Sequence, residues 1–345
     1  MKKLTFFLSM LFFLGISTQE AEASHLQGLD LTYECINNCT IRVYVRAYRD
    51  CTGITVGTPN IGFNAQTPGC GTPPPVTPWS PALITEVTPL CPGALTQCSS
   101  PNATINGVQE YFFFRDYNIC NNPNCVYTLT YSSCCRNPSI TSITSPGSTG
   151  LGVASTTLNT GITPCNSSPQ FQNPPVPYIC AGQPYSFNQG ATDPDGDSLV
   201  YSLGPCFDNA NGTQVTYAPG YSAAQPRGTS WNVSINAQNG DITVLPQPGN
   251  VVVGILCVYV EEYRNGVLLN TVVRDIQMTV LNCPSNTLPV VPAITATGGT
   301  VSGFTVNTCL GSNVCIDLPA IDPDSTQSIT MWWNENIPGG TFFET

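Results

Sequence analysis

The chain has 345 residues, and its 10 Lys and Arg against 21 Asp and Glu give a formal net charge of −11, which disfavours nucleic acid as a partner. Only 9% of residues are charged, against about 25% in ordinary soluble proteins, so solubility must rest on Ser, Thr, Asn and Gln. Seventeen cysteines argue against a reducing compartment and for a disulfide-supported fold, and their odd number leaves at least one unpaired.

Residues 1–23, MKKLTFFLSMLFFLGISTQEAEA, combine two lysines, an apolar run from Leu4 to Ile16 and small residues at Ala21 and Ala23. That is the layout of a secretory signal peptide, with a mature start expected at Ser24. The run is shorter than the roughly 20 apolar residues of a spanning helix, and no later stretch approaches that length. Ser24 also denies the new terminus the cysteine that a lipid anchor requires.

Residues 24–164 form the first expected unit, dense in cysteine. Within TIRVYVRAY, Ile41, Val43, Val45 and Ala47 share one face of a half-buried strand. EYFFFR (110–115) and VYTLTY (126–131) predict two more strands. The spacings Cys35-x3-Cys39 and Cys120-x4-Cys125 would tolerate zinc, but an exported chain oxidises such pairs to disulfides. Adjacent Cys134 and Cys135 are expected to take different partners. His25 is the one histidine in the chain and stands beside the expected new terminus, a poor place for a general base.

Residues 165–283 form the second expected unit, with strands in WNVSI, where Trp231, Val233 and Ile235 share a face, and in VVVGILCVYV (251–260). Asn-Gly pairs at Asn106-Gly107, Asn239-Gly240 and Asn265-Gly266 predict tight hairpins. The last joins VYVEEYR to VLLNTVVRDIQMTV as the closing hairpin of a sandwich, with Cys283 just beyond it. No amphipathic helix follows residue 23. The fold class predicted is all-β, a tandem of antiparallel β-sandwich modules rich in disulfides.

An internal repeat sets the last boundary. CAGQPYSFNQGATDPDGDSLVYS from Cys180 aligns without gaps with CLGSNVCIDLPAIDPDSTQSITMW from Cys309. Residues 284–345 are therefore expected to begin a second copy of the module, cut short by the end of the sequence, so that a missing cysteine partner would lie past residue 345. Pro-rich NPPVP (173–177) and LPVVP (288–292) precede the two copies and predict stiff, extended linkers.

The first copy carries Asp193, Asp195 and Asp197 within five positions. Three ionised carboxylates so close repel unless they splay into solvent or share a cation. Calcium suits them, because it takes six to eight oxygens in a flexible shell that alternating Asp residues around a Gly can supply. The helix-loop-helix calcium pattern is excluded, since Ser198 and Gly204 stand where its Gly and Glu belong. An ordinary Asp-Pro-Asp-Gly turn is the competing reading. Glu262 is the preferred additional ligand, with Glu261 and Asp275 as further sources of oxygen. The second copy keeps Asp322 and Asp324 but has Ser325 and Thr326 in place of Gly196 and Asp197, which predicts weaker binding there.

SHLQGLDLTYECINNCTIRVYVRAYRDCTG (24–53), YSSCCRN (131–137), DPDGDSLVYSL (193–203) and EEYRNGVLLNTVVRDIQMTVLNC (261–283) together resemble the amino-terminal region of very large secreted surface proteins of Bacteroidota. The resemblance implies tandem cadherin-like, immunoglobulin-like or PKD-like modules, followed in that family by a gliding-motility-type sorting domain for type IX secretion, which this sequence lacks. It implies adhesion, gliding-associated coats or matrix scaffolding as functions. It also makes Asp-Ser-Leu at 197–199 and Asp-Ser-Thr at 324–326 resemble the O-glycosylation sequon of that phylum.

No catalytic arrangement emerges: paired carboxylates such as Glu110, Glu261 and Glu262 lack an acid and nucleophile context, and no phosphate-binding Gly-rich loop is present. The expectation is a non-catalytic, secreted surface adhesin or extracellular scaffold stiffened by calcium. Its partners would be cell-surface or matrix glycans or proteins, or a second copy of itself, with neither nucleic acid nor a transmembrane segment in the mature chain. The alternative is an accessory carbohydrate-binding region of a larger polysaccharide-acting enzyme, with Trp79, Trp231, Trp332 and Trp333 as possible sugar-stacking residues against their commoner role in cores.

Overall fold

The computed structural model describes residues 25–89, 94–162, 165–175, 178–226, 232–249, 251–283, 287–303, 305–309, 312–324 and 329. The expected signal peptide, Trp231, Trp332, Trp333, Cys91 and the Ser-Thr pair at 325–326 lie outside them. The first region supplies β1 (Leu26–Asn37), β2 (Thr40–Asp50), β3 (Gly62–Ala65), β4 (Leu83–Glu86), β5 (Val108–Asn118), β6 (Val126–Ser133) and β7 (Leu151–Asn159). The second supplies β8 (Gln170–Phe171), β9 (Tyr178–Cys180), β10 (Tyr185–Asn188), β11 (Ala191–Thr192), β12 (Ser198–Gly204), β13 (Asn232–Ile235), β14 (Asp241–Leu245), β15 (Val253–Arg264) and β16 (Val267–Leu281). The short strands β17 (Thr295–Thr297), β18 (Thr300–Ser302), β19 (Thr305–Asn307) and β20 (Cys315–Asp317) follow. The protein is all-β, and among the described residues no helix is long and apolar enough to cross a membrane.

Alternation along the strands builds two apolar layers. Ile41, Val43, Val45 and Ala47 of β2 are buried with Leu29, Leu31, Tyr33, Tyr111 and Phe113, and face Tyr127, Leu129, Leu151 and Val153 of the three-stranded sheet β3-β6-β7. Trp79 packs partly buried against this cluster, which gives it the core role rather than the sugar-stacking one. A second layer joins Val258, Val260, Val272, Ile276, Met278 and Val280 of the closing hairpin to Ile242 and Val244 of the sheet β10-β14-β13. The opposite face of that hairpin is covered by Ile140, Ile143, Val215 and the Cys206–Cys257 disulfide.

One sheet runs through both regions, in the order β12-β15-β16-β1-β2-β5-β4, with β9 parallel to the end of β16. The boundary expected near residue 164 therefore interrupts neither the sheet nor the covalent framework. β1 pairs with β16 at Gly28↔Ile276 and Leu29↔Asp275, and Cys35 is disulfide-bonded to Cys165. Neighbouring residues on a strand point to opposite faces, and at this seam each face holds a buried ion pair. Arg274 Nε stands 2.9 Å from Asp30 Oδ2 on one side, and Arg136 Nη2 lies 2.6 Å from Asp275 Oδ2 on the other. Burial pushes the Asp30 carboxyl above its ordinary range while the adjoining Arg274 pulls it down.

The cysteines pair across the fold rather than within their local spacings: Cys35–Cys165, Cys39–Cys120, Cys51–Cys98, Cys70–Cys125, Cys180–Cys283 and Cys206–Cys257. Cys134 and Cys135 are bonded to each other, contrary to expectation. The peptide between them is cis and their Cα atoms are 3.0 Å apart, so the neighbouring sulfurs reach one another. This framework fits an oxidising, non-cytoplasmic environment. Among the described residues Cys309 and Cys315 are unpaired and exposed.

Of the three Asn-Gly pairs, Asn265-Gly266 makes the expected two-residue hairpin, with φ of 53° and 78° and Arg264 opposite Val267. Asn239-Gly240 ends the connection from β13 to β14. Asn106-Gly107 forms no hairpin. It feeds β5, and a Cβ on Gly107 would collide with Cys98 Sγ and Thr96 beside the Cys51–Cys98 bridge. Gly107→Ala is expected to cost about 1–3 kcal/mol through overpacking, measured by denaturant unfolding; an unchanged midpoint would mean that the bridge shifts freely.

The first Pro-rich stretch is docked rather than a free spacer: the Asn173 carbonyl accepts a hydrogen bond from Arg274 Nη1 at 2.6 Å, and Pro175 is buried beside Gly28. In the second, Leu288, Val290 and Val291 are exposed, and Val290 pairs with Ile321.

Candidate functional site: the acidic loop at the seam

The Asp-Pro-Asp-Gly-Asp loop links β11 to β12, and Gly196 turns it at a φ of 82°. Asp193 Oδ1 accepts from the backbone N–H groups of Asp195 and Asp197, each at 2.9 Å, which curls the loop around the Asp193 carboxylate. One carboxylate oxygen from each of Asp193, Asp195 and Asp197 falls in a cluster less than 4.8 Å across. The sequence thus identified a real convergence of three acids.

The surroundings come from both regions of the sheet. Asp195 Oδ2 accepts from the Ser167 N–H at 2.6 Å, and the hydroxyls of Ser167 and Ser168 accept in turn from the N–H groups of Cys35 and Tyr33 on β1. Segment 165–169 is thereby a strap between β1 and the acidic loop, pinned at one end by Cys165. Burial and the nearby Glu262 charge raise the Tyr33 hydroxyl pKa well above its ordinary value, and that hydroxyl donates to the Thr157 carbonyl.

β15 delivers two further groups on one face. Register pairs Ser198 with Tyr263, so Asp197 stands opposite Arg264 at the end of the ladder. The Arg264 guanidinium clasps Asp197 at 2.6 and 2.8 Å, donates to Asn166 Oδ1 at 2.5 Å and lies 3.8 Å from Asp195 Oδ2. The hydrogen bonds from Arg264 hold the Asp197 carboxyl below its ordinary pKa. Arg264 is the partner missed in the sequence, and it neutralises part of the cluster.

Glu262 is fully buried, and its Oε1 accepts from Asn166 Nδ2 at 2.6 Å. Its Oε2 and Asp193 Oδ2 are both buried without a hydrogen-bond partner. Burial first, and the charge of Asp193 next among the raising effects, push the Glu262 carboxyl up to about 8 despite the Asn166 hydrogen bond. Burial likewise raises Asp193. Even with Arg264 in place, the four acids carry more potential negative charge than one guanidinium offsets. At neutral pH Glu262 therefore keeps a proton, which it shares with Asp197, and Asp193 Oδ2 remains the buried oxygen with no donor; a cation would satisfy it and displace the Glu262 proton.

The remaining expected ligands separate. Asp275 is held by Arg136 at the seam, on the face opposite Arg274, and its carboxylate accepts both of its hydrogen bonds from that guanidinium. Glu261 points away from Glu262, as neighbours on a strand must, and accepts from the Tyr263 hydroxyl. Asp322 and Asp324 rebuild the first part of the loop: Asp322 Oδ1 accepts from the Asp324 N–H at 2.8 Å, and Asp324 Oδ2 from the Thr287 N–H at 2.5 Å. These contacts match those of Asp193, Asp195 and Ser167, so the repeat extends to hydrogen bonding. No third acid joins Asp322 and Asp324 among the described residues.

Fold and site together define a disulfide-linked, all-β chain with an acidic cluster where the strap from β1 meets the tip of the closing hairpin. No protein-family model, curated protein or solved structure matches it.

Proposed function

We propose that this chain is a non-catalytic part of an extracellular scaffold or surface adhesin, in which calcium at the acidic loop stiffens the join between two β-sandwich halves. The observation that supports this reading most is Asp193 Oδ2, buried with no hydrogen-bond donor in a cluster with the Asp195 and Asp197 carboxylates and beside the Glu262 carboxyl. Asp193, Asp195, Asp197 and Glu262 would hold the ion, with Arg264 sharing Asp197. An ion there would tie the strap from β1 to the end of the closing hairpin, so its effect would be resistance to bending. Asp322 and Asp324 form a weaker, incomplete copy of the site. The signal-like first 23 residues and the resemblance to Bacteroidota surface proteins support a secreted, surface-attached setting.

The test is a thermal melt of the whole secreted chain. With a calcium affinity of about 0.1–1 mM, usual for extracellular modules, tenfold excess contributes about 1.4 kcal/mol. That raises the melting temperature by about 2–4 °C. Asp193→Ala with Asp195→Ala is expected to abolish the increment. Arg264→Gln is expected to lower the calcium-free melting temperature and to enlarge the rise on adding calcium, because the ion then has more charge to offset. A melt indifferent to calcium in both the native chain and Arg264→Gln would refute the ion and leave Arg264 as the loop's whole compensation.

A further inference from the structure

A groove of about 320 Å³ lies between the outer face of β1-β2-β5 and the short ribbon of β8 and β11. Glu34, Tyr44, Arg46, Phe112, Gln172 and Pro194 line it, the last from the acidic loop itself. Tyr44 and Phe112 stack at 5.6 Å with their planes 17° apart, and the Arg46 guanidinium sits 4.6 Å from the Phe112 centroid. The Tyr44 hydroxyl donates to Glu34 Oε2 at 2.5 Å, which fixes that carboxylate at the groove wall. Neither the fold nor the ion site accounts for this collection of aromatic rings and planar polar groups on the solvent side of a sheet.

We infer that the groove is a binding site for neutral carbohydrate, with room for a short oligosaccharide. A pyranose presents weakly positive C–H groups on its face and hydroxyls at its rim. The electron-rich face of Tyr44 suits the first, with Phe112, itself covered by Tyr44 and the Arg46 guanidinium, backing that ring. The Glu34 carboxylate, the Gln172 amide and the Arg46 guanidinium suit the second, as acceptor, donor-acceptor and donor. Charge argues against an anionic ligand: Arg46 is matched by Glu110 at 3.2 Å and Arg42 by Asp116 at 2.7 Å, on a chain of net charge −11. Topology argues against a peptide added as a strand, because β1, β2 and β5 are each paired on both sides. The inference supplies a ligand class for the proposed adhesin, yet its geometry uses none of the ion-site carboxylates.

The experiment is gel-retardation of the whole disulfide-bonded chain by laminarin, xyloglucan, galactomannan and polygalacturonate, in calcium and in chelator, with a calcium titration on the same preparation. Retardation by at least one neutral polysaccharide is expected, weakened about tenfold in Tyr44→Ala, the cost of one stacking face, and to a smaller degree in Phe112→Ala, which removes the ring that backs it. Gln172→Ala, at an exposed position whose side chain makes a single 3.4 Å hydrogen bond to Thr192, is expected to weaken binding several-fold with an unchanged melting temperature, which separates lost recognition from lost folding. Retardation by none of the neutral polysaccharides, by polygalacturonate alone, or equally in native and substituted chains would overturn the inference. Sugar binding that persists in chelator beside a blank calcium titration would refute the ion alone, and calcium binding without retardation would refute the groove alone.

Discussion

Asp275→Asn is expected to destabilise the protein by about 3–5 kcal/mol, the cost of leaving a buried guanidinium without its counter-charge. Arg136 and Asp275 are 1% and 0% exposed, so water cannot take over from the lost carboxylate. The guanidinium also gathers the backbone: Nε donates to the Gly150 carbonyl at 2.8 Å, and Nη2 to the Phe207 carbonyl at 3.1 Å. One side chain from the Ser-Cys-Cys-Arg turn thus connects the start of β7, the loop after β12 and the central strand β16. Arg136→Met with Asp275→Leu would remove both charges, and many buried pairs tolerate such a replacement. Here the Gly150 and Phe207 carbonyls would lose their donor, so only partial recovery is expected. Denaturant unfolding of the three variants checks this, and a loss below about 1 kcal/mol for Asp275→Asn would show that the seam is hydrated.

Sequence reading succeeded where a single strand carries its own signal. The alternation in TIRVYVRAY gave β2 its inward face, and EEYRNGVLL gave the closing hairpin, because both depend on neighbours in the chain. The seam between the two regions was not legible, since β1 and β16 are brought together across some 245 residues by a contact of only two register pairs. A clue stood in the sequence: Asp30 interrupts LQGLDLTY, and Arg274 and Asp275 interrupt VVRDIQM. Charges inside apolar runs are rarely buried without a partner. At the acidic loop, the Asp-x-Asp-x-Asp spacing disclosed the three acids, and the hairpin geometry brought in Glu262. Arg264 became visible only through the β12-β15 register, and Asn166 and Ser167 only through the strap, which no periodicity announces. Asp275 failed as a ligand for the same reason of register, since it lies opposite Cys257 and Leu29 rather than near the hairpin tip.

Removing the Cys35–Cys165 disulfide is expected to cost about 4 kcal/mol and to soften the acidic loop before it unfolds the sheet. The bond closes a span of 130 residues, but Cys39–Cys120 already short-circuits most of it, leaving an effective loop of roughly 50 residues. Chain entropy for a loop of that size amounts to about 4 kcal/mol. The location adds a specific consequence, because Cys165 immediately precedes Asn166 and Ser167, the residues that hold Glu262 and Asp195. Without the bond, the strap is tied to β1 and the turn after it by hydrogen bonds alone, to Tyr33, Cys35 and Asn38. Amide exchange should therefore accelerate first at Ser167 and across 193–197, while the buried centre of β2 stays protected. The Cys35→Ala, Cys165→Ala double variant, compared with the native chain by hydrogen exchange and denaturant unfolding in chelator, separates the two effects. Uniform acceleration over β2 and the loop alike would mean that the strap does not act as a local clamp, and a loss under about 2 kcal/mol would mean that the remaining disulfides already confine the unfolded chain.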